Sequence, residues 1–346
     1  MLQKRAIIEM AMGPIDLGGS KMFRKKLVKL AVATLVAGFA AGAAKAETIK
    51  FALIDGLSGP FAAVGQNALR ELQFAADTLV NEKGGVAGGN TFEVIGFDNK
   101  TSPKESLIQL ENAISQGIRY IIQGNSSGVA HAISAAVAKH NERNPDNQVI
   151  FLNHSAVDPA LTNEKCNFWH FRFDGNADMK MNAITNAIVD RPDIKKVYLI
   201  GQNYSFGKAV AAAARHYLSI KRPDIEIVGD ELHPIGKVKD FSPYITKIIA
   251  SGADAVITGN WGADMVNLAR AANDAGLTAD FFTYYAAGTG ITAALGASGV
   301  DHIRVVNEGH RNPAMTDAWD QYLASFNAKF PENDLTYPRI VHTIQM

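Results

Sequence analysis

Cysteine occurs once in this 346-residue chain, at Cys166, so no internal disulfide and no thiolate metal cluster can form. A single cysteine in such a chain reads as a small apolar side chain. Net charge is also missing. Lys plus Arg and Asp plus Glu both number 34, and this balance lacks the basic excess that a nucleic-acid partner requires. The nine histidines show no H-x-x-x-H or His/Cys spacing, which argues against a zinc site. A Walker-type phosphate loop is absent, so nucleotide hydrolysis has no support, and no low-complexity linker divides the chain. What is present is ordinary globular composition, 47 % hydrophobic and 20 % charged, over a length that suggests about two domains.

The one sustained apolar run lies near the N-terminus. From Met22 the chain reads Phe23, Arg24, Lys25, Lys26, then an apolar stretch from Leu30 to Ala44, then Ala44-Lys45-Ala46. A basic start, a hydrophobic run and a small-x-small end make a secretory signal. The run is at the short end for a membrane span, which needs about 20 apolar residues. Cleavage is expected after Ala46, giving a mature chain that starts at Glu47 and is free in the periplasm, with residues 1–21 as an upstream extension. At the other end, Tyr337–Met346 reads as a helix just begun, with no stop signal, so further C-terminal residues are expected.

Beyond Glu47, short β-branched runs alternate with amphipathic stretches. Ile49–Ile54, Phe92–Phe97, Tyr120–Gln123 and Val149–Leu152 read as strands, with helices over Gln66–Asn81, Pro103–Gln116 and Val129–His140. A less regular stretch, Asn153–Asp174, follows. A second series then begins, with strands at Val197–Ile200, Ile225–Val228, Ala255–Thr258, Phe281–Tyr284 and Ile303–Val306. Its helices fall at Gly207–Leu218, Phe241–Ala250, Ala263–Ala275 and Thr316–Phe330. Units of this spacing build right-handed βαβ crossovers and parallel sheets, so the expected fold class is α/β with two Rossmann-like lobes. No residue-level repeat relates the two series.

Three readings compete for Gly124-Asn125-Ser126-Ser127-Gly128, between a strand and a helix. As G-x-S-x-G it fits a hydrolase nucleophile elbow, for which Asp254 and His310 are available by chain order alone. As hydroxyls at a helix N-terminus, Ser126 and Ser127 form an anion cradle. As a helix start, the serine is a plain cap. Gly288-Thr289-Gly290-Ile291-Thr292-Ala293 fits a dinucleotide G-x-G-x-x-A, but no acidic residue follows at the right distance, and a small-residue turn is the simpler account. Asn125-Ser126-Ser127 also matches a glycosylation acceptor, which a bacterial-looking signal makes irrelevant.

Several motifs occur in a telling order. Leu57-Ser58-Gly59-Pro60-Phe61-Ala62-Ala63-Val64-Gly65 follows the first strand. Asn81-Glu82-Lys83-Gly84-Gly85-Val86, Phe97-Asp98-Asn99-Lys100-Thr101-Ser102-Pro103, Tyr204-Ser205-Phe206-Gly207 and the Gly276-Leu277 region come after it. With the signal sequence, this order resembles the leucine/isoleucine/valine-binding protein family of type I periplasmic binding proteins, across essentially the whole chain from Glu47. The resemblance implies lobe 1 over 47–170, lobe 2 over 171–306 and a return to lobe 1 over 307–346. Three crossovers join the lobes, the ligand lies in the cleft, and the cleft closes on binding. Hinges are expected near Phe168–Asp174, Ala286–Gly290 and Asn307–His310. It implies an ABC-importer permease as partner, a small carboxylate-bearing ligand, no cofactor, no metal, no catalysis and a monomer.

By the same resemblance Ser126 holds the ligand carboxylate, with Ser127 beside it, and the His154-Ser155-Ala156-Val157 loop adds contacts through Ser155 and Ala156. Trp261 and Phe206 stand where relatives place aromatic residues. Three departures stand out. Tyr285 takes the place of an acid that pairs with an ammonium, Val64 replaces an aromatic residue, and Val157 replaces a threonine. A buried ammonium without a partner costs several kcal/mol. The expected ligand is therefore an aromatic or aliphatic carboxylate, unless Asp264 or another acid reaches an ammonium. A secreted hydrolase using Ser126 and a ligand-sensing subunit on the same scaffold are the alternatives.

Overall fold

Strand β1, Thr48–Asp55, runs from a polar, exposed start into five consecutive buried residues, as a central strand of a parallel sheet should. The computed structural model describes residues 46–288, 291–299, 301–307, 316–332, 340 and 342–345. The leader expected over 22–46 lies outside the described residues apart from Ala46, as do the upstream extension 1–21, His310 and half of the stretch 337–346. After β1 come helix α1, Ala62–Ala75, and strand β2, Thr91–Asp98. Helix α2, Pro103–Ser115, and strand β3, Tyr120–Gln123, follow. Helix α3, Ser127–Arg143, strand β4, Ile150–Asn153, and a three-residue strand β5, His170–Arg172, complete the first sheet.

Two local expectations are corrected here. The single helix expected over 66–81 begins four residues earlier and loosens after Ala75 into a π turn, Ala76–Val80. The Thr78 hydroxyl donates back to the Phe74 carbonyl, and the Asn81 side chain is engaged by the Phe92 backbone, which pulls the last turn towards β2. The stretch 153–174 is not wholly irregular either, since β5 extends the first sheet and the expected lobe boundary at 170 falls inside it.

The second series starts with helix α4, Ala177–Val189, which the sequence reading omitted. Strand β6, Lys196–Gln202, helix α5, Ser205–Lys221, strand β7, Glu226–His233, and helix α6, Ser242–Ser251, follow. Next come strand β8, Ala255–Thr258, helix α7, Gly262–Asp274, strand β9, Asp280–Thr283, short helix α8, Ile291–Leu295, and strand β10, Ile303–Val305. Helix α9, Asp317–Lys329, and α10, His342–Gln345, end the described residues.

Among the described residues each sheet has five parallel strands. The orders are β2-β1-β3-β4-β5 and β7-β6-β8-β9-β10, so the two halves share one topology that no residue repeat betrays. In this order the chain reverses direction across the sheet between its first and third strands, and a crevice opens at their carboxyl ends. The segment 173–176 carries the chain from one sheet to the other. By contrast the expected hinge at 286–290, of which 286–288 are described, falls between β9 and β10 of one sheet and is corrected to a position within one lobe. Tyr322, Leu323 and Phe326 of α9 pack back on Phe51, Leu72 and Phe74 of the first half, with Phe326 edge-on to Phe74 at 5.4 Å.

Candidate ligand cleft

The carboxyl ends of β1, β3 and β4 face those of β6, β8 and β9 across a cleft whose empty space is about 810 Å³, open mouth included. Its lining holds all eight residues singled out in the sequence: Val64, Ser126, Ser127, Ser155, Ala156, Phe206, Trp261 and Tyr285. The structure thus brings together side chains that come from both halves of the chain.

The first-half wall is polar. Ser126 sits at the start of α3 with φ +85° and ψ 109°, a region non-glycine residues rarely occupy, and its side chain makes no capping hydrogen bond. The plain-cap reading of this serine therefore fails. The first helical bond runs from the Ala130 amide to the Ser126 carbonyl, leaving the amides of residues 127–129 without intrahelical partners. Neighbouring Ser127 accepts the Asp158 amide at 3.2 Å, which ties two loops together. Behind them Asp55 accepts the Asn125 amide at 3.0 Å and the imidazole of His154 at 2.8 Å.

Asn153 organises the neighbouring loop. Its carbonyl oxygen accepts the amides of Ser155 and Ala156, and its amide nitrogen donates to the Ala156 carbonyl. With its orientation so fixed, Asn153 donates to Nε2 of His170 at 3.1 Å, so the His170 proton lies on Nδ1. Burial, reinforced by the Arg172 charge, presses this imidazole down to about 4. Folded His170 is then neutral where the unfolded residue, near 6.5, already binds a proton. Stability contributed by this site is full above about 6.5 and is lost as pH falls towards 4, by at most about 3 kcal/mol. Melting curves of the parent and His170→Gln between these pH values should converge as pH falls. Parallel curves would remove His170 from the account.

The second-half wall is aromatic. Trp261 donates its indole N–H to the Tyr204 hydroxyl at 2.9 Å, and Phe206 meets Tyr204, Tyr284 and Tyr285 at centroid distances of 5.9, 5.6 and 5.9 Å. Burial raises the Tyr204 hydroxyl well above its usual range, so it stays protonated. Tyr285 reaches across the cleft to donate to the Ser155 carbonyl at 3.3 Å. Beneath it, Lys180 pairs with Asp174 at 2.9 Å and lies 5.1 Å from the Tyr285 ring centroid. Phe61, from the loop after β1, crosses in the other direction and packs on Trp261 at 4.1 Å.

Two expected acids are placed elsewhere. Asp264 is buried and held by the Gln202 side chain and the Gly236 amide, each at 2.8 Å, rather than lining the cleft. Asp254, the acid nominated for a hydrolase, accepts the amides of Lys195 and Lys196 at the amino ends of the second sheet's strands, opposite the cleft. Glu71 of α1 does line it, and the sequence reading did not single it out. Nor did it single out Asp55, Asn153, Tyr204 or Phe61. Asp98, the last residue of β2, is held below its usual range. Burial raises it, but hydrogen bonds from Ser58 and the Lys100 and Leu57 amides outweigh that.

Comparison with known proteins agrees with this architecture. The family described as periplasmic binding protein matches residues 48–342. Leu/Ile/Val-binding protein homolog 4 of Brucella abortus is 37 % identical over 280 residues, covering 79 % of this chain and 65 % of the relative, so the chain spans about two thirds of that protein's length. A closed crystal structure of the leucine-, isoleucine-, valine-, threonine-, and alanine-binding protein from Brucella ovis superposes with a TM-score of 0.72 at 32 % identity, over 87 % of this chain and 76 % of that one. A solute-binding protein of R. palustris in complex with 4-hydroxybenzoate shares the fold at 20 % identity and a TM-score of 0.72, over 86 % of this chain and 78 % of that one. The chain belongs to the periplasmic binding protein family, is similar to proteins named for binding leucine, isoleucine and valine, and has the type I fold of two parallel α/β lobes.

Proposed function

We propose that this protein captures a small carboxylate-bearing molecule between its lobes and presents the closed form to a membrane permease of an ABC importer. The observation that carries the reading is the cleft's asymmetry. An unbonded Ser126 hydroxyl and free helix amides stand on one side, and Tyr204, Phe206, Trp261 and Tyr285 stand on the other. Neutral donors at a helix start suit a carboxylate, and an aromatic wall suits an aliphatic or aromatic body. With Asp264 committed to Gln202 and Gly236, Tyr285 faces the position where an ammonium would look for an acid, which favours acids whose second polar group is uncharged. Capture by closure needs only that the ligand bind the closed form better than the open one.

Calorimetric titration with branched-chain amino acids, aliphatic acids and benzoates tests this. Ser126→Ala should weaken the carboxylate that binds by at least about tenfold, or about 1.4 kcal/mol. Ser126→Gly should bind as weakly yet melt higher, because glycine relieves about 1 kcal/mol of strain at φ +85°. Unchanged affinity in both variants would remove Ser126 from the site.

A further inference from the structure

The aromatic wall carries a hydroxyl whose proton no described residue receives. Trp261 donates its indole N–H to the Tyr204 oxygen at 2.9 Å, and an indole nitrogen can only donate, so the direction of this bond is fixed. Tyr204 is therefore the acceptor, and its own O–H remains to be placed. Desolvation outweighs the Trp261 bond and lifts the phenol well above its usual range, so the proton stays on the oxygen at neutral pH. The neighbouring phenols differ. Tyr284 donates to the Ala177 carbonyl at 2.8 Å and Tyr285 to the Ser155 carbonyl at 3.3 Å, whereas Tyr204 donates to nothing among the described residues.

Both members of the pair are held in place. Trp261 is buried, packs on Phe61 at 4.1 Å and stands in extended conformation just before α7. Tyr204 stands just before α5, where its amide donates to the Gln202 carbonyl at 2.9 Å and its carbonyl accepts the Lys208 amide at 3.1 Å. Phe206 meets the Tyr204 ring edge-on at 5.9 Å. Since Tyr204 and Trp261 both line the cleft, an acceptor for this proton must come from what the cleft holds. Water can serve while the lobes are apart. Once a ligand displaces that water, a hydrocarbon body set against the hydroxyl would leave a desolvated donor unpaired.

We infer that Tyr204 is a specificity-determining residue whose hydroxyl, held by Trp261, donates a hydrogen bond to an uncharged oxygen on the ligand's body. The cleft then favours acids that carry a carbonyl or ether oxygen over acids whose body is pure hydrocarbon. This rests on the carboxylate reading above and adds what the second lobe recognises. The carboxylate itself is provided for on the first lobe, by Ser126 and the amides at the start of α3, which leaves the Tyr204 proton for a second group. Selection is strong in this direction because a site built to hydrogen-bond a substrate group rejects the analogue that lacks it.

Calorimetric titration with matched acids tests the selection: benzoate against its meta- and para-methoxy derivatives, and hexanoate against its keto derivatives. In the parent, an oxygen-bearing acid should bind at least about tenfold tighter than its hydrocarbon partner, and Tyr204→Phe should erase that preference. Hydrocarbon acids that bind the parent as tightly as every oxygen-bearing partner overturn the inference, as does a preference that survives Tyr204→Phe. If Tyr204→Phe instead weakens both members of a pair equally, the hydroxyl serves the carboxylate, and the second-group assignment falls while the proposed function stands. Binding of none of these acids would bring down both. The premise has a ligand-free check. Of the three indole N–H signals in 15N-labelled protein, that of Trp261 should move upfield in Tyr204→Phe, and an unmoved signal would deny the bond that fixes the proton's direction. Should Tyr204→Phe not fold, the preference of the parent still decides.

Discussion

Replacing Phe61 with alanine is expected to weaken ligand binding by about a hundredfold while leaving the melting temperature of the ligand-free protein nearly unchanged. Phe61 belongs by sequence to the loop after β1, yet it is buried in the core cluster of the other lobe. Its slot is made by two glycines in the left-handed region. A Cβ on Gly262, φ +58°, would stand 2.5 Å from the Phe61 ring, and one on Gly236, φ +68°, would stand 2.9 Å away. Burying a phenylalanine is worth about 1.5–3 kcal/mol, and an aromatic pair such as Phe61 with Trp261 adds about 0.5–1.5. These contacts exist only when the lobes meet, so their loss shifts the closing equilibrium rather than either lobe's stability. Gly262→Ala should reproduce the effect from the opposite side, and the double variant should cost little more than either single one. Equal affinity in parent and Phe61→Ala, measured by calorimetry, would deny Phe61 a part in closure.

Lys180→Met is expected to act on the fold itself. The Lys180–Asp174 pair has side-chain exposures of 5 % and 0 %, and removing one partner of such a pair costs about 3–5 kcal/mol because the other charge remains buried. For a chain of this size the melting temperature should fall by about 10 °C. Substituting both partners, Lys180→Met with Asp174→Leu, should recover part of that loss, since both charges of the pair are then gone while Arg172 loses the Asp174 charge beside it. A single variant that melts within about 2 °C of the parent would show that the pair contributes little. Tyr285 gives a second readout: its ring lies over the Lys180 ammonium, so ligand affinity should decline together with stability.

The two α/β series were legible because central parallel strands are continuous apolar runs, as in Leu53–Ile54 or Ala255–Thr258, and because most helices carry an apolar stripe. β5 escaped because His170-Phe171-Arg172 is a short edge strand with polar ends, and an edge strand is not obliged to be apolar. α4 was missed despite a readable signal. Asn176 accepts the Met179 amide as a cap, and Met181, Ile184 and Ile188 repeat at helical spacing behind it. The serines and aromatics of the cleft followed from motif order and resemblance. The Asp55–His154 contact could not, because it joins residues 99 positions apart and nothing local marks either one. Phe61 was hidden for a related reason: an apolar loop residue shows that it must be covered, not which lobe covers it.

The separation of a polar wall on one lobe from an aromatic wall on the other makes the binding site evolvable in two independent steps. The serines proposed to meet the headgroup, Ser126 and Ser155, follow β3 and β4, whereas Tyr204, Phe206, Trp261 and Tyr285 follow β6, β8 and β9. A substitution in the second set can enlarge, shrink or flatten the space for the ligand's body without disturbing the atoms that recognise its acid group. On the proposed function, a change from an aliphatic to an aromatic ligand would need new side chains on a single lobe, while the other lobe keeps its place for the acid.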